Sequence, residues 1–177
     1  MSTTEQSVAI PTGTWQADAV HSAVGFEVPY MGVATFSGSV EQFEATLADG
    51  ELTGSAQIGT LVTKDENLKA HLLAPDFFDA ERHPTVAFRG TLRSEGSQAE
   101  VVGEITIKGV TRPATLTGTI TGPVVDPYGN ERYGLSLGTT IDRTEFGITW
   151  NAPMPDGTNA LADEVTLEAD LSLVKAA

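Results

Sequence analysis

The sequence contains no cysteine. Disulfide bonds, thiolate metal sites and thiol catalysis are therefore excluded. No apolar run approaches the roughly 20 residues that a membrane-spanning helix needs. The first 13 residues, MSTTEQSVAIPTG, have neither a basic start nor an apolar stretch of signal-peptide length. As written, the sequence predicts a cytoplasmic protein without a membrane span.

Positive charge is scarce as well. The chain of 177 residues has 10 basic and 24 acidic side chains, which gives a formal net charge of -14. Such a field repels nucleic-acid phosphates and anionic lipid head groups, so we expect neither as a partner. The length suits a single domain with a buried core. We predict a disordered N-terminal tail over residues 1–13 and one domain over residues 14–177.

Apolar and polar residues alternate in one segment after another. In the last segment Val165 and Leu167 lie on one face, and Glu164 and Thr166 lie on the other. This pattern is typical of antiparallel strands with one buried face. The apolar phase slips by one residue near Glu41–Gln42, which indicates a bulge or bend. About eight such segments predict an all-β, eight-stranded antiparallel sheet that closes into a barrel or splits into a sandwich.

One segment interrupts the strands. Thr63 and Glu66 have the spacing of a capping box, and two leucines follow at a spacing of four residues, so we predict a short helix over residues 65–73. Pro75 ends this helix. A second short turn is predicted over Arg143–Gly147.

Groups that could perform chemistry are few and scattered. His21, His71 and His83 lie on different predicted elements, and their spacing fits no zinc site. Asp18, His21 and Ser22 lie within five positions of one extended segment, so they cannot converge as a catalytic triad. We predict no metal site and no catalytic residue. For His21 we expect a structural hydrogen bond, with contact to a ligand head group as the alternative.

The inner face of the predicted sheet remains as the candidate site. It is strongly apolar, but it also carries glycines such as Gly54, Gly103 and Gly118. These glycines either leave room for a ligand or mark bends in the strands. From the alternation we predict a ligand-binding face formed by Phe26, Val28, Phe36, Val86, Phe88, Ile105, Ile107, Leu116, Leu135, Leu137, Leu167 and Leu171.

Five separated blocks of the chain form recognisable motifs. They are Trp15-x-x-Asp18-x-x-His21-Ser22-x-Val24-x-Phe26, Asp76-Phe77-Phe78-Asp79-Ala80, His83-Pro84-x-Val86-x-Phe88, Gly103-x-Ile105-Thr106-Ile107-Lys108-Gly109-Val110-Thr111-Arg112-Pro113, and Asp142-Arg143-Thr144-Glu145-Phe146-Gly147 with Trp150-Asn151. These blocks resemble YceI-like proteins, and the resemblance extends from about Trp15 to Lys175. The chain departs from the usual family pattern at Tyr30, where a His is frequent, and at Leu68-Lys69, where Arg-Asp is common.

The resemblance implies a lipocalin-like antiparallel barrel around a long apolar tunnel. It further implies non-catalytic binding, storage or transport of an isoprenoid lipid, either a polyprenyl chain or an isoprenoid quinone. No other cofactor is implied, and a homodimer is common in the family. The alternatives are a binding or stress-response module for other hydrophobic small molecules or for a protein partner, and an enzyme that uses the tunnel as its substrate site. We expect a continuous hollow along the barrel axis.

Overall fold

The computed structural model describes residues 10–176. Within them the chain forms eleven β-strands, one α-helix and two 3-10 helices, at Ile58–Thr60 and Arg143–Phe146. The other elements are β1 (Thr14–Ala17), β2 (Ala23–Tyr30), β3 (Ala34–Val40), β4 (Phe43–Ala48), β5 (Glu51–Gln57), β6 (Leu61–Val62), α1 (Glu66–Leu73), β7 (Thr85–Glu95), β8 (Gln98–Ile107), β9 (Val110–Val125), β10 (Glu131–Asp142) and β11 (Glu164–Lys175).

The strands form one antiparallel sheet that closes on itself. Because β1 pairs with both β4 and β11, the order β1-β4-β5-β7-β8-β9-β10-β11 returns to its first strand. Strands β2, β3 and β6 continue the sheet beyond β11. The closed ring of eight strands confirms the predicted barrel and decides against the sandwich.

The strand that closes the ring is one that the alternation did not predict. β1 has four residues, and Trp15 is the only one of them that is buried. A segment with one apolar position contains no repeat to detect. Trp15 nevertheless pairs with Leu47 on one side and with Lys175 on the other. Barrel closure therefore depends on a segment too short for pattern analysis.

The bend predicted near Glu41–Gln42 separates β3 from β4. The backbone N–H of Gln42 donates to Oγ1 of Thr60 over 2.9 Å, and the N–H of Glu41 donates to the Thr60 carbonyl over 3.2 Å. These bonds hold the two residues out of the strand ladder. As a result, β3 pairs with β2 and β4 pairs with β1.

Helix α1 confirms the helix predicted over residues 65–73, but the predicted capping box is wrong. The N-cap is Asp65, whose carboxylate accepts from the N–H of Asn67 over 2.8 Å. The hydroxyl of Thr63 instead donates to the carbonyl of Asp65. Asp65 has the extended backbone that an N-cap needs (φ -138°), and its short side chain reaches the first turn.

Buried side chains form two clusters, one toward each end of the barrel. The first, which we call the closed-end cluster, contains Trp15, Leu47, Leu92, Val101, Ile120, Leu135 and Leu173, all at most 3% exposed. The second includes Leu72 of α1, Phe77, Phe146 and Leu161, so the helix and two loops cover the other end. Within residues 10–176 no helix has the length and hydrophobicity to cross a bilayer.

Most of the predicted N-terminal tail, residues 1–9, lies outside the described residues. Its last residues contact the barrel. The N–H of Gly13 donates to Oδ1 of Asp49 over 2.9 Å, and Nε1 of Trp15 donates to the carbonyl of Thr12 over 2.9 Å. Residues 12–13 are therefore bonded beside the turn between β4 and β5.

Candidate ligand-binding site

An apolar cavity with a volume of about 140 Å³ lies in the middle of the barrel. We call it the central cavity. Residues of β2, β4, β5 and β7–β11 line it, among them Phe43, Leu52 and Ala56, which were not predicted to bind a ligand. Of the residues predicted to bind a ligand, those that line it are Val86, Phe88, Ile105, Leu116, Leu137, Leu167 and Leu171.

A smaller cavity of about 50 Å³ lies under α1, and we call it the upper cavity. The predicted residues that line it are Phe26, Val28, Phe36, Ile107 and Leu167. Its cover consists of residues outside the strands, namely Leu72, Phe77, Phe78, Phe146, Ile148 and Leu161. Period-two alternation gives no signal in helices and loops, so the strand pattern did not identify these residues as part of the site.

Leu135 is the predicted residue that lines neither cavity. Its side chain is 1% exposed and packs in the closed-end cluster. Alternation along β10 correctly places Leu135 on the inner face together with Leu137. It cannot give the height of a residue along the barrel axis, which decides between cavity and packed core.

The expectation of a continuous hollow along the barrel axis is wrong. At one end the closed-end cluster fills the interior, with Leu47 and Leu173 fully buried. Higher up, aromatic rings occupy the cross-section: Phe26 makes edge contacts with Phe36 and Phe78 at centroid distances of 5.9 Å. The remaining space consists of the central cavity, between the closed-end cluster and these rings, and the upper cavity, which the rings line.

The inward glycines fall into both of the classes considered from the sequence. Gly54 lines the central cavity, and a Cβ atom there would lie 3.4 Å from the carbonyl oxygen of Glu44, an ordinary contact. A Cβ at Gly118 would overlap the carbonyl of Ser136, and one at Gly103 would overlap backbone atoms of the neighbouring strand. Glycine therefore leaves room at one position and permits close strand approach at others.

Arg143 holds the loop that covers the upper cavity. Its side chain is 4% exposed. The guanidinium donates from Nε to the carbonyl of Ala162 over 2.8 Å, and from Nη1 to the carbonyls of Ile148 and Trp150, each over 2.9 Å. Burial lowers the pKa of Arg143 below its usual value, and the nearby Asp163 carboxylate opposes that shift. These donors are bonded to backbone, so we assign Arg143 a structural role.

Aromatic rings contact one another beside the upper cavity. The His71 ring lies edge-on to Phe77 and to Trp150, with centroid distances of 4.8 and 4.6 Å. His71 Nε2 is 3.6 Å from Oδ2 of Asp76, and Trp150 is 36% exposed. This rim combines apolar rings with a histidine and a carboxylate at the covered end of the barrel.

The predicted hydrogen bond of His21 is present, and it lies away from both cavities. His21 Nδ1 is 2.7 Å from Oδ2 of Asp18, and the same oxygen accepts from Nη1 of Arg132 over 3.0 Å. Arg132 also donates from Nε to Oδ2 of Asp126 over 2.7 Å. We call these four residues the outer ion cluster. Among residues 10–176 no group of three or more His, Asp or Glu side chains could hold a metal ion.

A closed eight-stranded antiparallel barrel with apolar cavities gives the protein a lipocalin-like fold. The chain belongs to the YceI-like family, whose domain model matches residues 15–173. This match confirms the resemblance drawn from the sequence blocks.

Relatives in several bacteria match most of the chain. A UPF0312 protein of Pectobacterium atrosepticum is 28% identical over 137 residues, which are 73% of this chain and 71% of the relative. A UPF0312 protein of Staphylococcus aureus is 27% identical over 161 residues, 86% of this chain and 92% of the relative.

Solved structures share the fold at low sequence identity. BcnA of Burkholderia cenocepacia has a TM-score of 0.70 at 18% identity, covering 90% of this chain and 99% of that one. A polyisoprenoid-binding domain of Saccharophagus degradans, implicated in plant cell wall breakdown, also has a TM-score of 0.70 at 10% identity, covering 92% and 98%.

Proposed function

We propose that this protein binds an isoprenoid lipid, a polyprenyl chain or the tail of an isoprenoid quinone, inside its barrel and stores or transports it without catalysis. The observation that carries the proposal is the apolar central cavity of about 140 Å³ at the heart of a closed barrel. The polyisoprenoid-binding domain with the same fold supports it. The predicted homodimer and cytoplasmic location stay predictions.

Apolar burial alone supplies the driving force for such binding. Each buried methylene-sized group contributes about 0.8 kcal/mol. Even at about 0.3 kcal/mol per ligand atom, a limit that fits larger ligands, a chain of many carbons reaches high affinity without polar anchors. An isoprenoid chain therefore needs no constellation of charged side chains in the barrel.

The volume of the central cavity also favours a second candidate, binding of smaller hydrophobic molecules. An engineered cavity of about 150 Å³ in another protein binds benzene. The central cavity has nearly this volume, so without side-chain movement it accommodates a group about the size of one isoprene unit. A longer isoprenoid chain requires the residues between the two cavities to move aside.

Titration of lipid-free protein with farnesol tests the proposal, with Leu137→Trp as the variant that fills the central cavity. Thr140→Trp, on the exposed face of the same strand, is the matched control. We expect saturable binding with one farnesol per chain, weakened at least about tenfold by Leu137→Trp because the ligand loses buried area. Thr140→Trp leaves the affinity unchanged.

Two results would count against isoprenoid binding in the barrel. One is the absence of saturable farnesol binding by a folded chain. The other is equal affinity in both tryptophan variants, which would place farnesol outside the central cavity. If benzene-sized compounds bind to the protein but do not compete with farnesol, the second candidate replaces the first.

A further inference from the structure

The boundary between the two cavities lies at the level of Leu167. Along β11, Val165 lines the upper cavity and Ala169 lines the central cavity. Leu167 lies between them and, within residues 10–176, it is the one residue that lines both. On β8 the same boundary falls between Ile107, at the upper cavity, and Ile105, at the central cavity. Leu167 therefore lies at the boundary between the two spaces.

Leu167 is also less constrained than its neighbours at this level. It pairs across the sheet with Phe26 on β2. The Phe26 ring packs on Gly38, where a Cβ atom would lie only 2.9 Å from two ring carbons. Phe26 and Ile105 are buried, whereas Leu167 is half-buried beside empty space on two sides. A change of the Leu167 rotamer is consequently the smallest movement that would join the cavities.

We infer that Leu167 is a specificity-determining residue that sets how long an apolar chain the barrel accepts. The inference rests on the proposed function. When the Leu167 side chain lies between the two cavities, a ligand occupies one cavity. When that side chain is turned aside or shortened, a chain extends from the central cavity into the upper cavity. The closed-end cluster fills the other end of the barrel. Along the barrel axis, the binding space can therefore grow toward the upper cavity.

Competition between prenol, an alcohol of one isoprene unit, and geraniol, which has two, tests the inference. We expect Leu167→Ala to increase the preference for geraniol by about tenfold, the gain expected for burying one further isoprene unit. Leu167→Phe, which enlarges the barrier, shifts the preference toward prenol. Leu173→Ala removes the same atoms from the same strand inside the closed-end cluster and should leave the ratio of the two dissociation constants unchanged.

The outcomes separate the inference from the function on which it rests. If both probes bind but their ratio is the same in wild type, Leu167→Ala and Leu167→Phe, the inference is wrong and the proposed function stands. If no variant binds either probe, the proposed function itself fails. Leu167→Met, of similar volume, provides a folded reference if Leu173→Ala unfolds, and should retain the wild-type ratio.

Xenon provides a readout that does not depend on the lipid. Crystals of wild type pressurised with xenon should show separate peaks in the two cavities, because apolar cavities of this size bind the gas. In Leu167→Ala the peaks should merge into a continuous feature. Separate peaks in a folded Leu167→Ala variant would overturn the assignment of Leu167 as the barrier.

Discussion

The side-chain amide of Asn151 pairs with both backbone polar groups of Leu161. Nδ2 donates to the Leu161 carbonyl over 2.6 Å, and Oδ1 accepts from the Leu161 N–H over 2.9 Å. Leu161 also forms an isolated β-bridge with Tyr30, and its side chain lines the upper cavity. Asn151 thus anchors the loop that covers the upper cavity.

Replacement of Asn151 should loosen this cover. Asn151→Asp keeps the acceptor but places a carboxylate oxygen against the Leu161 carbonyl, so we expect a loss of about 1–3 kcal/mol of stability. Hydrogen exchange at the Leu161 amide, measured by NMR, should accelerate more than exchange in β8 or β9. Asn159→Asp, at an exposed position of the same loop, is the control. Equal protection of Leu161 in both variants would contradict this role of Asn151.

The outer ion cluster should make stability depend on pH in the acid range. The hydrogen bond from His21, with a further one from Arg132, lowers the pKa of Asp18 from 3.8 to about 2. Arg132 is the main cause that lowers the pKa of Asp126 to about 2. Both carboxylates bind protons more tightly in the unfolded chain, so their contribution is complete above pH 4 or so and disappears as the pH falls through about 2.

Removal of Arg132 tests this dependence. In Arg132→Gln we expect the pKa of Asp126, followed by carboxyl-carbon NMR, to rise toward its usual value. The fall in the free energy of unfolding between about pH 4 and pH 2 should become shallower. Arg89→Gln, which removes a surface cation from β7, should leave the Asp126 titration unchanged. An unaltered Asp126 titration in Arg132→Gln would refute the assigned cause.

The two classes of inward glycine predict opposite responses to an added methyl group. Gly118→Ala places Cβ on the backbone of β10, so we expect a loss of about 3 kcal/mol or more in the free energy of unfolding. Gly54→Ala adds its methyl to the central cavity and should change stability by less than about 1 kcal/mol while weakening farnesol binding. Urea unfolding and farnesol titration measure both. Similar stability losses at the two positions would contradict the assignment.

Sequence reasoning recovered the features that repeat along the chain. The alternation of Val165, Leu167 and Ala169 with polar neighbours identified β11 and its inner face, and the phase slip at Glu41–Gln42 identified the bend. Each of these is a local property of a strand.

The features that could not be predicted from the sequence depend on contacts between distant segments. Closure through Trp15 needs the pairing of β1 with strands from both ends of the chain. The division of the interior falls at Leu167, beside its cross-strand neighbour Phe26. The cover depends on bonds of Arg143 to a loop that has no periodic pattern. A strand pattern indicates which face is inside, but how full the interior is depends on the height of each side chain and on residues from helix and loop.

Native mass spectrometry of the purified protein, before and after organic extraction, shows whether the barrel carries an apolar chain in its interior. We expect an added mass that corresponds to one ligand per chain. This mass should disappear on extraction, be identified in the extract as an isoprenoid lipid, and return when the stripped protein is incubated with that lipid. A folded protein that has only the mass of its polypeptide, and that takes up no isoprenoid on incubation, would contradict this expectation.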